Sequence, residues 1–105
     1  MGRESAHFPK RIRSLPAFEG AFDAHRLKAD QCDVLFASYP AGSEIATHTH
    51  ETENYGVITD GEPLLTVGGQ ERRYVRGDWY HLEPGQEHSA RFEVDTSEIE
   101  FWFRP

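Results

Sequence analysis

At 105 residues the chain has room for one compact core and not for two. Its single cysteine excludes an internal disulfide, and no apolar run reaches the length of a signal segment or a membrane span, so a cytoplasmic protein without membrane contact is expected. The net charge of −7 is uneven, +3 over the first thirteen residues and −10 over the rest, and such an acidic body repels phosphate backbones, which argues against a nucleic-acid partner.

Residues 1–15 carry mixed charge, Pro9 and no clear periodicity. They read as an N-terminal arm, ordered only where something receives it, ahead of a domain over residues 16–105. The basic side chains of Arg3, Lys10, Arg11 and Arg13 fit a solvated leader, or an arm lying on the acidic body, better than a nucleic-acid contact. Short strand pieces are expected between Phe18 and Ala29.

From Cys32 onward the chain reads as strands punctuated by turns. Cys32 to Tyr39 is apolar and β-prone and stops at Pro40 and Gly42. Glu44 to His50 alternates, with Ala46, His48 and His50 on one face. Asn54 to Thr59 runs into Asp60-Gly61, Pro63 to Val67 into Gly68-Gly69, and Gln70 to Val75 into Arg76-Gly77-Asp78. Asp-Gly and Gly-Gly supply the positive φ that tight hairpins need, and Asp78 suits a side chain that ties its own turn. Trp79 to Leu82, Glu87 to Val94 and Glu98 to Phe103 complete the set. Eight to ten short strands with regular turns and no amphipathic helix predict an all-β barrel or sandwich, and thirteen aromatic residues offer it a dense core.

His48 and His50 stand two apart on one predicted strand, so their rings can converge on an ion. Taken alone, the pair fits two surface histidines on an exposed strand face better than a metal site. Their surroundings are more informative. The frame runs Gly42, His48, His50, Asn54 and Gly61, then Gly77, Pro84, Gly85 and His88. It resembles the two motifs of the cupin superfamily, Gly-x5-His-x-His-x3-Glu-x6-Gly and Gly-x5-Pro-x-Gly-x2-His-x3-Asn. The resemblance covers Gly42 to Phe92, with three departures: Asn54 replaces the glutamate, Pro84 comes one residue late, and Phe92 replaces the asparagine.

The resemblance implies a double-stranded β-helix, or jelly-roll β-barrel, and a homodimer. It also implies one divalent metal ion (iron, manganese, zinc or nickel) on His48, His50 and His88, with Asn54 as the fourth ligand. Three neutral imidazoles and an amide leave such an ion its full charge, which weakens metal binding and favours an anionic small-molecule ligand. Glu53 is the rival fourth ligand, although strand alternation puts it on the opposite face. Phe92, sharing the parity of His88 and Ala90, is the expected apolar wall of the ligand pocket, whereas His81, of opposite parity to its neighbours Tyr80 and Leu82, is expected to point away.

Two function classes follow. One is a metalloenzyme of dioxygenase, isomerase, decarboxylase or lyase type, acting on an anionic or carbonyl-containing substrate. The other is a binding or sensing module that holds a similar ligand without turning it over. Asn54 cannot take a proton, so an enzyme would need Glu53, His81, Tyr55 or a metal-bound hydroxide as its base. Neither a Ser-His-Asp nor a Cys-His nucleophilic set is evident.

Overall fold

The computed structural model describes residues 8–19 and 22–105. One helical turn, α1 (Lys10–Arg13), precedes nine strands among the described residues. These are β1 (Asp23–Lys28), β2 (Cys32–Tyr39), β3 (Glu44–His48), β4 (Glu53–Asp60), β5 (Pro63–Val67), β6 (Gln70–Arg73), β7 (Trp79–Leu82), β8 (His88–Phe92) and β9 (Thr96–Phe103). All pairings are antiparallel, in a five-stranded sheet of order β1-β2-β9-β4-β7 and a four-stranded sheet of order β3-β8-β5-β6. The fold is a jelly roll, all-β as expected.

Strand β9 lies between β2 and β4, with Leu35 opposite Glu100 and Gly56 opposite the same Glu100. Each strand therefore sends alternate side chains into the space between the sheets. Leu35, Ala37 and Tyr39 of β2 are buried there, and with Ala24 and Phe92 they form one core cluster. Ile58, Leu65, Tyr74 and Leu82 form a second, and Ala90 packs against both. Tyr39 stacks on Phe92 with ring centroids 4.1 Å apart and planes 5° from parallel, a pairing worth about 0.5–1.5 kcal/mol beyond its buried area.

Gly68 and Gly69 join β5 to β6 with φ of 58° and 79°. Two consecutive positive φ values define the two-residue hairpin that matches strand twist. The Asp78 carboxylate accepts the Val75 N–H at 2.9 Å, tying the turn before β7 as expected.

Residues 1–7 of the expected arm lie outside the described residues. Phe8 is buried against Phe36, with ring centroids 5.6 Å apart, and Arg13 donates from Nε to the Phe8 carbonyl. The arm from residue 8 onward thus covers part of its own barrel. No helix among the described residues is long and apolar enough to cross a membrane.

Candidate functional site

A cavity of about 330 Å³ runs between the two sheets. His48, His50, Asn54, His88 and Phe92 all line it, so the expected metal ligands and the expected apolar wall meet in one cavity. His48 and His88 are cross-strand partners on β3 and β8. His50 departs from the expected strand: β3 ends at His48, after a register shift that follows Ile45. The His50 carbonyl instead accepts the Gly85 N–H at 2.8 Å, which pins this segment to the turn before His88. Convergence of the rings therefore depends on a bulge and a loop contact as well as on strand alternation.

The potential ligand atoms of His48, His50 and His88 lie within 4.8 Å of one another. His48 Nδ1 is 2.7 Å from the Ala46 carbonyl, and His88 Nδ1 is 3.0 Å from that of Gln86. A carbonyl only accepts, so each Nδ1 carries the hydrogen and each Nε2 presents its lone pair to the cavity. The Nε2 atoms of His48 and His50 are 3.0 Å apart. Two nitrogens each ~2.1 Å from a shared ion stand roughly 3 Å apart when they bind at a right angle, so the residues present fit a divalent cation. Burial, reinforced by His48 and His88, lowers the His50 pKa from 6.5 to about 4. Burial likewise lowers that of His88, against the opposing pull of the Gln86 carbonyl. Both shifts favour the neutral imidazole that a metal requires.

Asn54 is buried on the cavity wall, and its Oδ1 accepts the Thr52 hydroxyl at 2.6 Å. Glu53 points the other way. Its carboxylate accepts from His81 at 2.7 Å and from the Tyr55 hydroxyl at 3.3 Å, and the Tyr55 and His81 rings stack at 4.4 Å. Glu53, His81 and Tyr55, the side-chain bases considered from the sequence, are thus engaged with one another on the outer face and do not line the cavity.

Among the described residues, the ionisable carboxyls in the cavity come from β9, and sequence reasoning missed them. Glu98 and Glu100 are 3% and 5% exposed and both line the cavity. The Tyr39 hydroxyl donates to Glu100 at 2.5 Å, Trp102 Nε1 to Glu100 at 3.0 Å, and the Tyr80 hydroxyl to Glu98 at 2.7 Å. The two carboxyls stand two residues apart on one face of β9, on the same wall of the cavity. Burial, and then the neighbouring Glu100, pushes the Glu98 pKa well above the carboxylate range. Burial and the nearby glutamates likewise raise Tyr39 and Tyr80, so both remain hydroxyl donors. Gly56 makes room for this arrangement: a Cβ there would lie 2.2 Å from the Tyr80 ring.

A 29% identical relative, the "H2HPP isomerase" of Bacillus subtilis, aligns over 94 residues, 87% of this chain. The chain spans 38% of that relative's length. An RmlC-like cupin from Shewanella frigidimarina superposes with a TM-score of 0.79 at 17% identity, over 93% of this chain and 88% of the other. A predicted oxalate decarboxylase from Thermotoga maritima gives a TM-score of 0.78 at 16% identity, over 93% of this chain and all of its own. A family model described as Cupin domain matches residues 35–102. With two antiparallel sheets around a histidine-lined cavity and that match over most of its length, the chain belongs to the cupin family.

Proposed function

We propose that the cavity holds one divalent metal ion on the Nε2 atoms of His48, His50 and His88, with the Asn54 amide as a weak fourth ligand, and that the protein is a metal-dependent enzyme acting on a small anionic or carbonyl-containing substrate. The observation carrying this reading is the fixed convergence of three lone-pair nitrogens on a cavity of about 330 Å³. A bound ion would supply Lewis-acid polarisation of a carboxylate or carbonyl oxygen. With no carboxylate among these four groups, the site keeps a positive charge that attracts an anion.

The protein's own residues supply the rest. His48 and His88 are held in one tautomer by the Ala46 and Gln86 carbonyls. Phe92 and Tyr39, stacked on each other, form an apolar wall that excludes water beside the charged end. The Thr52 hydroxyl occupies one lone pair of the Asn54 oxygen, which weakens it further as a ligand.

We further propose that two copies pair through the outer face of the five-stranded sheet. Trp79 is 57% exposed there and stacks on Phe101 with centroids 6.0 Å apart, and Phe103 meets the edge of Tyr55. Exposed aromatic area of this kind is what a homodimer would bury. The half-buried, unpaired Cys32 suits a reducing compartment and supports a cytoplasmic location.

The test is to quantify metal per purified chain, then to follow oxygen consumption and product formation by iron-, manganese-, nickel- and zinc-loaded protein over a panel of small carboxylates and 2-oxo acids. One ion per chain, with turnover lost in His50→Ala, supports the enzyme. Tight ligand binding without product from any metal form would make the protein a binding module instead.

A further inference from the structure

Two carboxyl groups buried side by side in one cavity are not both ionised without a cation to offset them, because like charges repel strongly where water is excluded. Glu98 and Glu100 are in this position, two residues apart on one face of β9, 3% and 5% exposed and both open to the cavity. Each oxygen of Glu100 already accepts from a ring donor, Oε2 from the Tyr39 hydroxyl and Oε1 from Trp102 Nε1. Glu98 accepts one such bond, from the Tyr80 hydroxyl to its Oε1. Glu100 accepts one more hydrogen bond than Glu98, so the shared proton belongs on Glu98. Among the described residues, no Lys or Arg lines the cavity to neutralise either group.

We propose that Glu98 and Glu100 form an acid–base pair that carries one proton between them and exchanges protons with a carbonyl ligand seated in the cavity. This rests on reading the cavity as a ligand site and adds its proton chemistry. The exchange balances within the pair. Glu98 gives its proton to the carbonyl oxygen while Glu100 takes one from the adjacent carbon, so the C–H bond breaks and an O–H bond forms. The ligand passes from keto to enol form, and the pair keeps one proton and one negative charge throughout. No oxidant or reductant is needed. Tyr39, Tyr80 and Trp102 are positioning residues, holding the carboxyls through hydrogen bonds. The substrate class is a small acid carrying a carbonyl with an acidic hydrogen on the neighbouring carbon.

Infrared difference spectra of the metal-free full chain at neutral pH, wild type against Glu98→Gln, test the pair whatever the histidines hold. The expected result is a protonated-carboxyl stretch in the wild type that shifts in D2O and vanishes in Glu98→Gln. Tyr80→Phe, which keeps both carboxyls, should move the same band. A wild-type spectrum without the band, or a band indifferent to both substitutions, overturns the proposal. In the zinc-loaded protein, deuterium exchange into pyruvate and 2-oxobutanoate, followed by NMR in D2O, should outpace buffer and fall by roughly 100-fold in Glu98→Gln. Exchange of both probes no faster than in buffer overturns the acid–base role, and the separate metal count shows whether the metal reading stands.

Discussion

The Trp102 indole lies against the His50 ring, with centroids 4.5 Å apart, and donates its N–H to Glu100 at 3.0 Å. One side chain therefore joins the histidine end of the cavity to its carboxyl end. Trp102→Phe keeps the ring contact and removes the donor. Leaving a buried acceptor without its donor costs about 1–3 kcal/mol, and each kcal/mol lowers the melting temperature of a domain this size by roughly 4–8 °C. Calorimetry of the variant should show that drop, and an unchanged melting temperature would mean that water replaces the indole at Glu100.

The Asn54 amide carries no charge, so Asn54→Glu should add a strong oxygen donor and cancel one unit of positive charge at a bound ion. Zinc affinity measured by titration calorimetry should rise by about tenfold or more. Because Asn54 lines the cavity while Glu53 is bonded to His81, Glu53→Gln should leave that affinity unchanged.

Gly56→Ala would force its new methyl into the Tyr80 ring, displacing the hydroxyl that serves Glu98. Overpacking of this kind costs about 1–3 kcal/mol. Tyr80→Ala removes the obstacle, so denaturation of the double variant should show a cost below the sum of the single ones. Additive costs would show that Gly56 is needed for some other reason.

Acid should destabilise the metal-free protein through His50. Its pKa is about 4 in the fold against 6.5 for a free histidine, so between those values the unfolded chain binds more protons and stability falls as pH drops. A shift of that size corresponds to roughly 3 kcal/mol for an enclosed ring. Half-exposure of His50 cuts this to about 1 kcal/mol. Glu98 has the opposite sign: its raised pKa supports the fold at low pH, and that support is lost as pH rises through the folded value. Melting temperatures across pH should therefore lose part of their acid-side slope in His50→Gln and part of their alkaline-side decline in Glu98→Gln.

Much of this could be read in advance, for identifiable reasons. β2, β5 and β7 begin and end where their apolar runs meet turn residues. The parity that sets Asn54 apart from Glu53, and His88 with Phe92 apart from Arg91, is the strand period of two. His50 escapes that rule because a register shift is a tertiary event, with no marker in Glu44 to His50. Glu98 and Glu100 were hidden for another reason. Alternation along β9 places Glu98, Glu100 and Trp102 on one face and Ile99, Phe101 and Phe103 on the other, and charge suggests that the glutamates face water. In this fold they face the cavity, while Phe101 stacks on exposed Trp79. The available signal was Trp102, an aromatic sharing the parity of the two glutamates.

The proposed function depends on three imidazoles holding one cation. Anomalous diffraction at the absorption edge of the co-purified metal addresses it directly. One peak per chain is expected, ~2.0–2.2 Å from the Nε2 atoms of His48, His50 and His88. A metal-loaded crystal with no peak among these rings, or with its ion held elsewhere, would contradict it.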